Sequence, residues 1–145
     1  MNIDFDDEIL ADFLIEAGEI IDQLGGLLVA LEKAPRDADL LNEIFRGFHT
    51  IKGGAGFLHL ITLVEVCHRA EDVFNVLRQG TQPVTGGLMD AVLLALDDIK
   101  AQFAALQSGS PPAPADAALL ATLERYARQE EADVPAAPAI APAGG

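Results

Sequence analysis

The positions of the prolines constrain this 145-residue chain more than any other feature of its sequence. Prolines stand only at 35, 83, 111, 112, 114, 135, 138 and 142, which leaves three long proline-free stretches and a short one. Because proline interrupts helices and central strands, each of these stretches is free to form continuous secondary structure. Their apolar residues recur every three or four positions and do not alternate with polar ones. This spacing predicts amphipathic helices.

The apolar spacing predicts five helices. Their apolar stripes run from Ile9 to Leu31, from Leu41 to Leu58, from Val66 to Leu77, from Leu88 to Leu106 and from Leu119 to Tyr126. The first four are long enough to pack side by side, and the connections between them are short. We therefore predict an all-α fold, an antiparallel four-helix bundle with a short fifth C-terminal helix.

Short polar residues and glycines predict where these helices begin and end. Expected N-caps are Asp37 or Asp39 for the second helix, Thr62 with Glu65 as a capping box for the third, Thr85 for the fourth and Asp116 for the fifth. We expect Gly53, Gly54 and Gly56 to loosen or end the second helix. Gly80 and Pro83 should stop the third.

The charge composition excludes several classes of partner. There are 23 acidic and 9 basic residues, for a net charge of −14 and a pI near 4.3. Such a field repels phosphate backbones and anionic lipid, so we expect neither nucleic-acid nor membrane binding. The apolar runs are too short to span a bilayer, and the acidic N-terminus does not resemble a secretory signal. The single Cys67 suits a reducing compartment, so we expect a cytoplasmic domain. We also expect the isolated domain to be monomeric.

A change in composition marks the C-terminal end of the predicted domain. From Val134 the chain reads V-P-A-A-P-A-I-A-P-A-G-G, a sequence with little capacity to pack. We predict a folded domain over residues 1–132 and a Pro/Ala-rich linker or tail over residues 133–145.

The middle of the chain is electrostatically distinct. Residues 1–40 hold eleven acids and two bases, whereas residues 41–80 hold four of each. This balanced segment contains all three histidines, the single cysteine and the glycine-rich run 52–56. An acidic protein that is locally neutral around its histidines can tolerate an anion there.

The predicted hairpin of the second and third helices brings four of these side chains together. If the chain turns near Leu60, His49 lies level with Glu71, and Lys52 lies level with His68. A carboxylate that accepts a hydrogen bond from one imidazole nitrogen fixes the tautomer and makes the other nitrogen more basic. That nitrogen can attack phosphorus. The ammonium of Lys52 would offset the incoming charge, and Gly53 and Gly56 would leave room for a large partner.

The same segment carries a family resemblance. The run F-H-T-I-K-G-G-A-G at 48–56, the preceding L-N-E-I-F-R and the following H-x-x-E at 68–71 resemble the signature of histidine phosphotransfer (HPt) domains of CheA-type chemotaxis kinases. The resemblance extends from about residue 5 to residue 130. It implies an HPt-type bundle in which His49 accepts phosphate on Nε2, with Lys52, His68 and Glu71 as supporting residues and Gly53 as their small neighbour.

The resemblance also implies partners. His49 would receive its phosphate from the ATP-binding domain of a CheA-type kinase, in cis or in trans, and pass it to an aspartate of CheY- or CheB-like response regulators. The chain shows no nucleotide-binding motif, so it would not be a complete enzyme and would bind no cofactor itself. ATP and Mg²⁺ would belong to the kinase domain.

Two other interpretations remain for these residues. The first is a helical interaction or adaptor bundle whose histidines are inert. The second is a metal site of His49, His68 and Cys67, which the spacing disfavours because adjacent residues 67 and 68 point about 100° apart on a helix. We expect Cys67 to be a buried apolar residue and His59 to be an ordinary turn residue.

Overall fold

The apolar spacing produces the predicted helices. The computed structural model describes residues 2–80 and 83–128, with side chains from residue 8 onward, and these residues form five α-helices and no strand. The helices are α1 (Asn2–Lys33), α2 (Ala38–Phe57), α3 (Ile61–Arg78), α4 (Gly86–Gln107) and α5 (Ala117–Arg128). The predicted domain boundary at residue 132 and the Pro/Ala-rich segment 133–145 lie outside the described residues.

The first four helices pack into a closed bundle. Helix α2 lies against α1 and α3, and α4 lies against α1 and α3 on the other side, while α5 covers α3 and α4. The all-α prediction of four bundled helices and a short fifth is therefore confirmed. None of the described helices is both long enough and apolar enough to cross a membrane.

The predicted apolar stripes form the core. Each helix contributes side chains that are almost completely buried, and the largest of them are Leu24, Leu28, Leu31, Ile44, Phe48, Ile51, Leu63, Phe74, Leu88, Ile99 and Leu123. At about 25 cal/mol per Å² of apolar surface removed from water, this burial is the main stabilising term of the fold. It holds α2 and α3 rigidly side by side.

Three of the four predicted N-caps are correct. Asp37 accepts hydrogen bonds from the backbone N–H groups of Asp39 and Leu40, Thr85 accepts one from Leu88, and Asp116 accepts one from Ala118. The predicted capping box of Thr62 and Glu65 is wrong. Helix α3 begins at Ile61 after Leu60, without a side-chain cap. The hydroxyl of Thr62 instead donates to Oε1 of Gln102 in α4, at 2.9 Å.

Gly53 and Gly54 do not end the second helix, which stops one residue after Gly56. Helix α2 continues through Gly53, Gly54 and Gly56 to Phe57. The turn that follows is made by His59, whose φ of 61° lies in the left-handed region. The interpretation of His59 as a turn residue agrees with this backbone.

Candidate functional site

Helices α2 and α3 position the candidate site through their side-by-side packing. His49 and Lys52 are one turn apart on α2, and Glu71 lies opposite them on α3. The core residues Phe48 and Ile51 anchor this part of α2 and turn their sequence neighbours toward the surface. The expected level pairing of His49 with Glu71 is confirmed by a direct side-chain contact between them.

Glu71 connects the three side chains. Its carboxylate is almost completely buried, with Oε2 against Nδ1 of His49 and Oε1 at 2.5 Å from Nζ of Lys52. Burial opposes ionisation of this carboxyl, but the hydrogen bonds from Lys52 and His49, together with the positive charge of Lys52, outweigh it and hold the pKa of Glu71 below its ordinary value. An ionised carboxylate can only accept hydrogen bonds, so Nδ1 of His49 is the donor.

The imidazole of His49 is oriented but accessible. Its side chain is 61% exposed although one ring nitrogen is engaged with a buried carboxylate. Because the proton is held on Nδ1, Nε2 carries the free lone pair. This arrangement makes Nε2 a nucleophile and leaves space around it for a phosphoryl donor.

Lys52 and His68, predicted to lie level on the hairpin, contact different partners. The side chain of Lys52 reaches Glu71, and none of the hydrogen bonds and ion pairs among the described residues joins it to His68. Nε2 of His68 lies 3.5 Å from a carboxylate oxygen of Asp72, one turn further along α3. The site therefore consists of His49, Glu71 and Lys52, and His68 lies at its rim.

Gly53 and Gly56 lie on the surface beside this site. Both are exposed, and a Cβ atom added at Gly53 would meet nothing within 4 Å. At Gly56 such an atom would be 4.0 Å from a methyl of Val64. The surface next to His49 is thus smooth and open, as the prediction of partner access requires.

Metal or thiolate chemistry fits these residues poorly. Cys67 is fully buried, and burial, together with the nearby carboxylates of Glu71 and Asp98, raises its pKa to about 12, so the thiol stays protonated. His68, Glu71 and Asp72 do offer ligand atoms within 4.8 Å of one another. Both oxygens of Glu71, however, already accept hydrogen bonds from His49 and Lys52.

Three residues near the site were not identified from the sequence as site residues. They are Asp72, which contacts His68, Phe45, whose ring is stacked with that of His49, and Arg78, which lies over the Phe45 ring. The helical spacing of four residues from Phe45 to His49 and from His68 to Asp72 could have indicated two of them. Arg78 is brought to Phe45 only by the packing of α3 on α2.

Comparison with known proteins supports the resemblance to histidine phosphotransfer domains. The model of the Hpt domain family matches residues 8–109. The sensor histidine kinase CheAY of Helicobacter pylori is 50% identical over 93 residues, which are 64% of this chain and 12% of that protein. The chain thus spans about an eighth of the length of this relative.

Two solved structures have the same fold. The CheA phosphotransferase domain from Thermotoga maritima superimposes with a TM-score of 0.67 at 32% identity, covering 69% of this chain and 95% of that one. The phosphorylated P1 domain of CheA3 from R. sphaeroides, whose crystal structure is a complex with CheY6, superimposes with a TM-score of 0.72 at 24% identity, covering 85% and 98%.

Proposed function

The chain belongs to the Hpt domain family, and from this we propose that it is the phosphotransfer domain of a CheA-type chemotaxis signalling kinase. In this proposal His49 accepts a phosphoryl group from the kinase's ATP-binding domain and passes it to an aspartate of a receiver protein. The observation that carries the proposal is the contact of His49 Nδ1 with the buried carboxylate of Glu71 beneath a largely exposed ring.

The first reaction is phosphorylation of the imidazole. The Nε2 lone pair attacks the γ-phosphorus of ATP, a P–N bond forms, and the bond to the bridging oxygen breaks as ADP leaves with its electron pair. The ring becomes positively charged as it donates these electrons. Glu71 stabilises that charge because its carboxylate accepts the Nδ1 proton's hydrogen bond, and this favours the transition state over the neutral ground state.

Lys52 has a second electrostatic role in this proposal. Its side chain is three-quarters buried, its ammonium lies 2.5 Å from Glu71, and the residue is one helical turn from His49. It offsets the negative charge of Glu71 in the resting domain and that of the phosphoryl group once it has arrived. His68 supports the site less directly, since one of its ring nitrogens lies within 4.8 Å of the Glu71 carboxylate.

The second reaction returns the ring to its starting state. An aspartate oxygen of the receiver attacks the phosphorus, a P–O bond forms, and the P–N bond breaks with its electrons returning to Nε2. The open surface at Gly53 and Gly56 supports approach of such a partner. A CheY protein is the partner of the R. sphaeroides P1 domain in its crystal structure, so CheY- or CheB-like receivers are the proposed recipients.

The remaining parts of the system belong to other domains. In this proposal ATP and Mg²⁺ are held by the kinase domain, in cis or in trans. The phosphotransfer domain itself binds no cofactor or metal. We propose that the domain is monomeric. We also propose that it is located in the cytoplasm, where its receivers diffuse.

Replacement of the nucleophile tests the proposal. Incubation of the chain with a CheA-type kinase domain and ATP should give acid-labile, alkali-stable phosphate on the wild type and none on His49→Gln. Because the His49 ring is mostly exposed and Lys52 still pairs with Glu71, the variant should keep its helicity and lose about 1–3 kcal/mol of stability, the cost of one hydrogen bond to a buried carboxylate.

The matched control is His59→Asn, which keeps a residue that tolerates the left-handed turn conformation and removes another exposed imidazole. It should be phosphorylated as the wild type is. Phosphate that remains on His49→Gln would contradict the site assignment. A wild-type chain that accepts no phosphate would favour the inert adaptor bundle.

A further inference from the structure

An aromatic ring lies parallel to the imidazole of the proposed nucleophile. The rings of Phe45 and His49 are nearly parallel, with an interplanar angle of 8° and centroids 6.0 Å apart. Phe45 is one turn before His49, and helical side chains lean toward the N-terminus, so His49 rests toward Phe45. A single hydrogen bond at Nδ1 leaves an exposed imidazole free to pivot about that contact. A parallel ring beside it limits the pivot.

Phe45 is itself held by a cation from the neighbouring helix. The guanidinium carbon of Arg78, in the last turn of α3, lies 3.7 Å from the centroid of the Phe45 ring. This is close enough for a cation–π interaction. The ring of Phe45 therefore has His49 beside it on its own helix and Arg78 over it from α3.

Two asparagines fix the guanidinium in turn. Nη1 of Arg78 donates to Oδ1 of Asn42 at 2.8 Å, and Nε and Nη2 donate to Oδ1 of Asn75 at 3.4 and 3.2 Å. The planar fork of arginine suits this arrangement, since its donors diverge toward both helices. Asn42 is on α2 and Asn75 is on α3, so the guanidinium joins the two helices where it covers the Phe45 ring.

We propose that Phe45 and Arg78 are positioning residues for His49. Arg78 holds the Phe45 ring, the Phe45 ring holds the plane of the imidazole, and Glu71 holds its Nδ1. Together these contacts direct the Nε2 lone pair outward before any partner arrives. The inference rests on the proposed role of His49 and adds the residues that set the orientation of its ring.

The test uses the full chain and a small phosphoryl donor, so that docking of a protein partner does not contribute. With phosphoramidate, whose nitrogen is protonated, Nε2 of His49 attacks phosphorus and forms a new P–N bond. The P–N bond of the donor breaks with its electron pair going to the donor nitrogen, and ammonia leaves. We expect Phe45→Leu and Arg78→Gln to slow this reaction about threefold to tenfold, the scale of an aromatic or cation–π contact. Phe45→Leu keeps the charge of Arg78, so its slowing would isolate the effect of the ring.

Two matched variants serve as controls. Phe45→Tyr keeps the stacked ring and should react at the wild-type rate. Arg46→Gln removes one arginine charge, as Arg78→Gln does, but from the residue next to Phe45. The side chain of Arg46 borders α1 beside Ile20 and Gln23. This variant should also leave the rate unchanged.

A spectroscopic measurement separates positioning from plain structural support. The ring protons of His49 should lose their ring-current shift in Phe45→Leu and part of it in Arg78→Gln, as NMR would show. Wild-type rates in both variants would overturn the proposal, as would lower thermal stability with unchanged His49 ring shifts. If the wild type accepted no phosphate at His49, the role of His49 would fail, and the ring shifts alone would decide whether Phe45 and Arg78 orient it.

Discussion

Glu71 is the residue on which the candidate site depends most. It is buried among core side chains, yet it carries a charge that His49 and Lys52 both contact. A buried carboxylate is stable only when its charge is compensated and its oxygens are hydrogen-bonded, and here Lys52 supplies the counter-charge while His49 donates a hydrogen bond. The same contacts that keep Glu71 ionised also orient the imidazole, so stability and function share one group.

Glu71→Gln should separate these two contributions. The substitution keeps the size of the side chain but removes the charge that favours Nδ1–H and stabilises the phosphorylated ring. We expect phosphorylation of His49 to slow about tenfold or more, because positioned groups of this kind contribute about 10²–10⁴-fold and Glu71 only assists. ¹⁵N NMR should show a smaller fraction of the Nδ1–H tautomer. Glu65→Gln, which removes an exposed charge from the same helix, is the control, and equal rates for the two variants would exclude the assigned role.

The lowered pKa of Glu71 also predicts how stability depends on pH. A carboxyl whose pKa is lower in the folded than in the unfolded chain stabilises the fold above the unfolded value, near 4.5, and loses that contribution as the pH falls through the folded value. Urea unfolding at a series of pH values below 4.5 should therefore show a steeper loss of stability in the wild type than in Glu71→Gln. If the free energy of unfolding falls with pH equally in the two proteins, this carboxyl does not contribute to the pH dependence of stability.

At the scale of the element, α2 uses its glycines on two different faces. A Cβ atom at Gly47 would come within 2.8 Å of Leu24, and one at Gly54 within 2.7 Å of the Phe13 ring. These two glycines let α1 approach closely, whereas Gly53 and Gly56 are exposed beside His49. The helix tolerates them because its stability comes mainly from tertiary packing of its apolar face.

Alanine substitutions at adjacent positions should distinguish the two kinds of glycine. Gly53→Ala meets open space in a helix interior and should stabilise the domain by up to about 1 kcal/mol. Gly54→Ala forces the Phe13 ring to move and should destabilise it by about 1–3 kcal/mol. Thermal or urea unfolding of the two variants measures the difference. The same sign of change in both would contradict the packing role of Gly54.

A larger side chain at Gly53 tests partner access. We expect Gly53→Leu to slow transfer to and from protein partners about tenfold, since a small misplacement of reacting groups costs rate steeply. Phosphorylation by phosphoramidate should be unaffected, because that donor is small. Rates would be measured by quenched-flow transfer assays with a receiver domain. Unchanged transfer would mean that the partner does not cover this part of α2.

At the scale of the whole molecule, charge is distributed unevenly around the site. The chain carries a net charge of −14, but residues 41–80 hold four acids and four bases. Mutual repulsion among the excess acids opposes compaction, while the balanced segment leaves the surface of α2 and α3 open to anionic groups.

Salt should therefore stabilise this domain. Raising the ionic strength from about 0.01 M to about 1 M shortens the Debye length from about 30 Å to about 3 Å and screens the repulsion. We expect the midpoint of thermal unfolding to rise over this range, as followed by circular dichroism. A falling midpoint would indicate that attractive pairs such as Lys52 with Glu71 outweigh the net repulsion.

Most of the fold could be predicted from the sequence because its determinants are local. The three- and four-residue spacing of apolar side chains predicted each helix, and Asp37, Thr85 and Asp116 cap helices through hydrogen bonds to backbone groups two or three residues away. The pairing of His49 with Glu71 also followed from local rules, since helix rise and a turn near Leu60 set the register of the hairpin.

The tertiary structure decided what depends on side chains from distant helices. Thr62 was predicted to cap α3, but its hydroxyl donates a hydrogen bond to Gln102, 40 residues away. Lys52 lies level with His68 on the hairpin, but its ammonium contacts the buried carboxylate of Glu71, because an ionised group in the interior requires a counter-charge. Arg78 reaches Phe45 only because α3 is docked on α2. Periodicity and caps depend on backbone geometry within a few residues, whereas these contacts depend on how the packed core places one helix against another.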